Sequence, residues 1–154
     1  MEVQIYTDGS AHTQRRIGGW AAIILWENVK VVLSGSVENT THNAMEILAV
    51  LKALDYLGEM NNNCFTKIKI FSDSQYTVSI LDRKEKLKEA NFYNKKNTPV
   101  RNVHLVKQLV EKIETLPLTF TKVKAHQKKT DEVNYNRVVD KLAREEVRRN
   151  VNSL

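Results

Sequence analysis

A chain of 154 residues is long enough to bury one core and too short for two independent ones, so a single domain over residues 1–154 is expected. Its 42% hydrophobic and 27% charged content, with no apolar run approaching a membrane span, excludes a disordered or membrane-spanning chain, and Cys64 as sole cysteine excludes an internal disulfide and a cysteine-based zinc site. The net charge of +6 favours a polyanionic partner, because Lys and Arg displace counterions from phosphate backbones, and Met1–Ser10 carries no leader-like pattern, which makes the cytoplasm the expected location.

Val3, Ile5 and Thr7 alternate with Gln4, Tyr6 and Asp8 at the period of a strand, with Asp8 at its carboxyl end and Gly9-Ser10 as the stop. The nearly continuous apolar run Trp20–Trp26 and the β-branched stretch Lys30–Ser36, separated by Glu27-Asn28-Val29, complete a three-stranded meander. From Asn43 to Glu59 the period changes. Ala44, Ile47, Leu48, Leu51 and Leu54 recur at helical spacing, while Lys52, Asp55, Tyr56 and Glu59 form one narrow polar stripe. Glu46 falls on the apolar side of this helix, over Val50 and Ala53, and therefore requires a partner.

Ile68 and Ile70 alternate with Lys67 and Lys69 into Phe71, a fourth strand that ends at Asp73, and a helix follows from Ser74 to Leu81. Arg83–Arg101 is polar and basic; Val103, Val106, Leu109, Val110 and Ile113 then mark an amphipathic helix closed by Leu116-Pro117. Leu118–Val123 reads as a fifth strand, Ala125–Thr130 as a polar loop, and Val133–Arg149 as a last helix. The order β-β-β-α-β-α-α-β-α specifies an α/β fold with a five-stranded mixed sheet flanked by helices, because strands joined through helices pair parallel whereas the opening meander pairs antiparallel. Such sheets bind ligands at the carboxyl ends of their strands, where Asp8 and Asp73 both arrive.

Four acids stand out by their settings: Asp8 in Tyr6-Thr7-Asp8-Gly9-Ser10, Glu46 closing Thr41-His42-Asn43-Ala44-Met45-Glu46, Asp73 in Phe71-Ser72-Asp73-Ser74-Gln75, and Asp140 in Asn136-Arg137-Val138-Val139-Asp140. In a basic protein, scattered carboxylates that converge bring divalent cations to a polyanion. Each also has a structural alternative. Asp8 before Gly9 suits a turn, Glu46 three residues after Asn43 suits a capping box, Asp73 suits a helix N-cap, and Asp140 beside Arg137, Lys141 and Arg144 suits a surface charge network.

Taken together, Tyr-Thr-Asp-Gly-Ser at 6–10, Thr-Thr-His-Asn-Ala-Met-Glu at 40–46, Asp-Ser-Gln-Tyr at 73–76, Val-Lys-Ala-His at 123–126 and Asp-Lys-Leu-Ala-Arg at 140–144 make the chain resemble type I ribonuclease H along nearly its whole length. The resemblance implies a ribonuclease H-like fold and an endonuclease that cuts the RNA strand of an RNA/DNA hybrid, leaving 5′-phosphate and 3′-hydroxyl ends. It implies two Mg²⁺ ions, with Mn²⁺ as a substitute, held by Asp8, Glu46, Asp73 and Asp140: Asp8 shared by both, Asp140 on the side that activates water, Glu46 and Asp73 on the side of the leaving oxygen. His126 is implied in proton transfer or product release.

For the substrate, the resemblance assigns Asn43, Gln75 and the backbone of Gly9 and Ser10 to 2′-hydroxyl contacts, and Thr41 to a DNA-strand phosphate, against the structural alternatives of capping by Asn43 or Thr41 and a solvent-facing Gln75. The Lys84–Arg101 segment, with six basic residues against two acids, is similar to the family's basic handle, with Lys86, Lys88, Lys95 and Lys96 gripping the hybrid. Phe92 and Tyr93 either touch sugars or pin the handle to the body. The sequence departs from the family in His12–Gly19, where a Gly/Pro-rich loop is common, in His42 for an Asn, in Ala125 for a Gly, in a handle without tryptophans, and in a longer His126–Asp140 spacing. A silent hybrid-binding module would lose a ligand, and all four acids are present; a strand-transfer enzyme would not carry the handle. A monomer with no obligate protein partner and no membrane association is the corresponding expectation, stand-alone rather than part of a reverse transcriptase.

Overall fold

The computed structural model describes residues 1–60, 65–124 and 133–153. Three strands open the chain: β1 (Glu2–His12), β2 (Ile17–Trp26) and β3 (Val29–Val37). Helix α1 (His42–Glu59) leads to β4 (Lys67–Ser72), followed by α2 (Gln75–Glu89), α3 (Val103–Thr115), β5 (Leu118–Lys122) and α4 (Tyr135–Asn152). The expected element order holds throughout the described residues. The strands form one five-stranded sheet in the order β3-β2-β1-β4-β5, antiparallel across β3-β2-β1 and parallel across β1-β4-β5.

Helices cover both faces, which is why β2 is apolar along its length rather than alternating. Ala22 and Ile24 of β2 join Val3 and Ile5 of β1 and Ile68 and Ile70 of β4 in a core with Ile47, Val50 and Leu54 of α1, Ile80 of α2 and Leu109 of α3. On the opposite face Ala21 and Ile23 pack under Val139 and Ala143 of α4, with Tyr6 and Tyr135 at the margin. Gly19 lets α4 lie close, since a Cβ there would run into the Ala143 carbonyl.

Several boundaries shift from the sequence reading, β2 starting at Ile17 and α4 running Tyr135–Asn152 among them, and two shifts bear on the site. β1 does not stop at Gly9-Ser10 but runs to His12, because the antiparallel ladder with β2 continues through Gly9↔Trp20 and Ser10↔Gly19 to His12↔Ile17. The parallel ladder with β4 ends at Tyr6↔Phe71, so Asp8 still sits just past the carboxyl end of the parallel strands. Gly9 is there for another reason. A Cβ on it would lie 2.5 Å from the Glu46 amide nitrogen, so only glycine lets α1 approach β1 this closely.

The helix expected over Ser74–Leu81 extends to Glu89. Its second half buries only Leu87, two turns after Ile80, and presents charge on its other sides, so composition hid it. Beyond it the chain reverses through Asn91 (φ 52°) and Phe92 (φ 62°), a Tyr93↔Pro99 bridge closes the loop, and the Asn94 side-chain oxygen accepts from the Lys96 and Thr98 amides. No helix among the described residues is long and apolar enough to cross a membrane.

Candidate active site

Asp8 on β1, Glu46 on α1 and Asp73, the residue after β4, each place a carboxylate oxygen within 4.8 Å of the others. The fold makes this convergence unavoidable: β1 and β4 are adjacent and parallel, and α1 crosses β1 at Gly9 one residue from Asp8. Asp8 and Glu46 are 5% and 1% exposed, which is what makes their charges expensive. Asp8 accepts the Gly9 amide at 2.9 Å. One Glu46 oxygen lies 3.2 Å from Nε2 of His42 one turn earlier, while its Oε2 is buried without a hydrogen-bond partner.

Burial, joined by the charges of Glu46, Asp73 and Asp140, pushes the Asp8 carboxyl up to about 10. Burial and the Asp73 charge likewise raise Glu46, to about 8, against the lowering effect of hydrogen bonds from Asp8 and the Gly9 backbone. The pair thus holds a proton that ordinary carboxyls would have released by neutral pH. A divalent cation would displace that proton. The donor set fits a hard ion of the Mg²⁺ or Mn²⁺ kind: oxygens alone, mutually close, on rigid elements, with Glu46 Oε2 lacking a hydrogen-bond partner among the described residues.

The structural alternatives for three of the acids fail. Thr41, not Asn43, caps α1, its hydroxyl accepting the Ala44 amide at 3.2 Å, so Glu46 belongs to no capping box there. Ser74, not Asp73, caps α2, accepting the Thr77 amide at 3.1 Å, while Ser72 Oγ accepts the Ser74 amide and fixes the turn that presents Asp73. Asp8 lies inside a strand rather than in a turn. Asp140 stands outside the close trio: it accepts Arg144 Nε at 3.1 Å one turn on along α4, as the charge-network alternative expects, while lining the same hollows as Asp8 and Asp73.

Gly9, Ser10, Asn43 and Gln75 line one hollow of about 400 Å³ together with Asp8, Glu46, Asp73 and Asp140. Thr41 stands at the head of α1, exposed, with its hydroxyl already engaged as the cap. Lys86 and Lys88 are in the last turn of α2 and Lys95 and Lys96 in the exposed loop beyond it. Lys88 is not unengaged: its Nζ donates to Glu114 of α3 at 2.6 Å, and that carboxylate raises its pKa. Phe92 packs against the core under Lys107, the pinning role, whereas Tyr93 is 44% exposed. His126 lies outside the described residues.

Sequence reasoning missed Asn136, whose buried Oδ1 has no hydrogen-bond partner among the described residues and which lines a hollow of about 200 Å³ with Thr7, Asp73 and Asp140. It also passed over His42 as a partner of Glu46, whereas Arg144 was already placed beside Asp140 as a charge neighbour. Their spacing of four residues on a helix is the signal that pairs them.

The family model for RNase H matches residues 1–148. A ribonuclease H of Thermoanaerobacter sp. (strain X514) is 37% identical over 150 residues, which cover 96% of this chain and 91% of that protein. LC9-RNase H1, described as a type 1 RNase H with the type 2 active-site motif, superposes with a TM-score of 0.80 at 19% identity, covering 95% of this chain and 72% of that one. LC11-RNase H1, solved in complex with an RNA/DNA hybrid, gives 0.67 at 20% identity over 97% of this chain and 99% of that one. The five-stranded mixed sheet is thus a ribonuclease H-like fold, and with the family's sequence pattern running through almost all of it, the chain belongs to the ribonuclease H family of nucleases.

Proposed function

We propose that the protein is a single-domain, monomeric, cytoplasmic endoribonuclease spanning residues 1–154 that hydrolyses the RNA strand of RNA/DNA hybrids and leaves 5′-phosphate and 3′-hydroxyl ends. The observation that carries this reading is the carboxylate cluster: Asp8, Glu46 and Asp73 within 4.8 Å, with a buried Glu46 oxygen that finds no hydrogen-bond partner among the described residues. Membership of the family and the hybrid complex of LC11-RNase H1 supply the substrate class.

Asp8, Glu46, Asp73 and Asp140 would hold two Mg²⁺ ions, or Mn²⁺ in their place. Bound there, such ions lower the pKa of an attacking water and stabilise charge on the attacking and leaving oxygens of an in-line displacement at phosphorus. The remaining work falls to the chain itself. Gly9 keeps α1 against β1, so that Asp8 and Glu46 are pre-positioned at the site. Ser72 and Ser74 hold the turn at Asp73, and Arg144 restrains Asp140.

Asn43, Gln75 and the Gly9 and Ser10 backbone, which share the hollow with the carboxylates, donate to and accept from ribose 2′-hydroxyls and so distinguish RNA from DNA. Thr41 contributes at a DNA phosphate beside α1, and His126 transfers a proton or assists product release. Lys86, Lys95 and Lys96 grip the flanking hybrid, with Lys88 joining on exchange of its Glu114 partner.

A labelled RNA/DNA hybrid incubated with Mg²⁺ or Mn²⁺ tests the reading. The RNA strand is cut, duplex DNA is untouched, and Asp8→Asn abolishes turnover. Equal turnover by Asp8→Asn defeats it.

A further inference from the structure

The hollow that contains the carboxylates does not end at Asp140. Ser10 and Arg144 line it and also line a second groove of about 360 Å³ between the end of β1 and the flank of α4, so the two are continuous. The second groove holds His12, Arg148 and Asn152 as well, above an apolar floor that includes Val151.

Three features of this groove point to one kind of ligand. Asp140, Arg144, Arg148 and Asn152 recur every four residues along α4 and form a stripe that leads away from the carboxylates in steps of about 6 Å. The groove has no acid in its lining, and Arg148 makes no ion pair among the described residues, so its guanidinium is available to an outside anion. His12 Nδ1 accepts the Arg15 amide at 3.1 Å, which leaves the ring proton on Nε2 as a further donor. The groove therefore offers cations and donors, which is what a backbone phosphate contact uses.

We propose that the His12–Arg148 groove binds a backbone phosphate of the same nucleic-acid strand that the carboxylates act on, beyond the bond that is cut. This rests on the nuclease reading of the carboxylate site. Charge complementarity and continuity with that site choose the ligand. A strand lying in the carboxylate hollow passes Ser10 and Arg144 and meets Arg148 next. The contact is independent of base sequence, and its residues on β1 and α4 are distinct from the lysines of α2 and the loop beyond it, so two separate sets of residues hold the hybrid.

The test uses hybrids whose RNA strand is shortened stepwise from either end, with Arg148→Ala, Arg148→Lys and His12→Ala compared with wild type after circular dichroism has shown each to be folded. In the wild type KM rises in a step when one particular end no longer reaches the groove. Arg148→Ala raises KM for long hybrids about fivefold, the scale of one exposed ion pair, removes that step, and lowers the slope of log KM against log salt by about one. Arg148→Lys retains most of the step, and His12→Ala loses part of it. A wild type that cuts hybrids with no such step at either end, or an Arg148→Ala that keeps the step and the salt slope, overturns the groove while leaving the nuclease reading intact. A wild type that cuts no hybrid of any length overturns both.

Discussion

Replacing Asp8 with Asn should stabilise the metal-free protein at neutral and alkaline pH while abolishing turnover. Burial and the neighbouring carboxylates raise Asp8 from 3.8 to about 10 and Glu46 from 4.5 to about 8, so between about pH 4 and those values the folded protein holds a proton that the unfolded chain has released. Stability falls with rising pH wherever the native state binds more protons than the unfolded state. The contribution is therefore intact below about pH 4 and is lost progressively toward alkaline pH. One proton retained by the pair corresponds to about 1.4 kcal/mol per pH unit, or about 3 kcal/mol between pH 5.5 and 8. Asp8 is 5% exposed, so solvent screens little of this. Urea denaturation in EDTA at pH 5.5 and pH 8 measures it, with the wild type losing more stability toward pH 8 than Asp8→Asn, in which only the Glu46 share remains. Saturating Mg²⁺ should level the wild type, because the cation replaces the proton. An equal pH slope in wild type and Asp8→Asn would refute the reasoning.

Gly9→Ala sets a Cβ 2.5 Å from two backbone atoms of α1, neither of which can swing aside, so a loss of about 3 kcal/mol or more is expected in the same denaturation assay, together with weaker Mg²⁺ binding as Glu46 moves from Asp8. Ser74→Ala, which removes the α2 cap, should cost about 1 kcal/mol and leave the pH slope unchanged. Changing Lys86, Lys95 and Lys96 together to Ala should raise KM for hybrid and flatten its salt dependence, whereas Lys88→Ala alone should do so less, because its Nζ is already engaged by Glu114 at 2.6 Å. Steady-state kinetics between low and moderate salt separates the two.

Periodicity was enough to find every described element and to bury Glu46, since a carboxylate on the apolar face of a helix has nowhere else to go. The cluster was legible through the resemblance carried by the five segments; that β1 and β4 are neighbours, which brings Asp8 beside Asp73, is seen only in the assembled sheet. Boundaries set by partners were not legible. Nothing local tells β1 to continue past Gly9, because the continuation is a ladder to β2, and nothing in the charged half of α2 betrays a helix held by one buried leucine. Local reading also gave the α2 cap to Asp73 when Ser74, one residue later, does that work and leaves the acid at the site. Arg148 and His12 lie far apart in the chain, and only the packing of α4 beside β1 makes them one groove.

The most direct measurement is anomalous scattering from crystals soaked in Mn²⁺. The account predicts strong peaks among Asp8, Glu46, Asp73 and Asp140, lost in Asp8→Asn. Fully occupied Mn²⁺ elsewhere with none between these side chains, or peaks that persist unchanged without the Asp8 carboxylate, would contradict it.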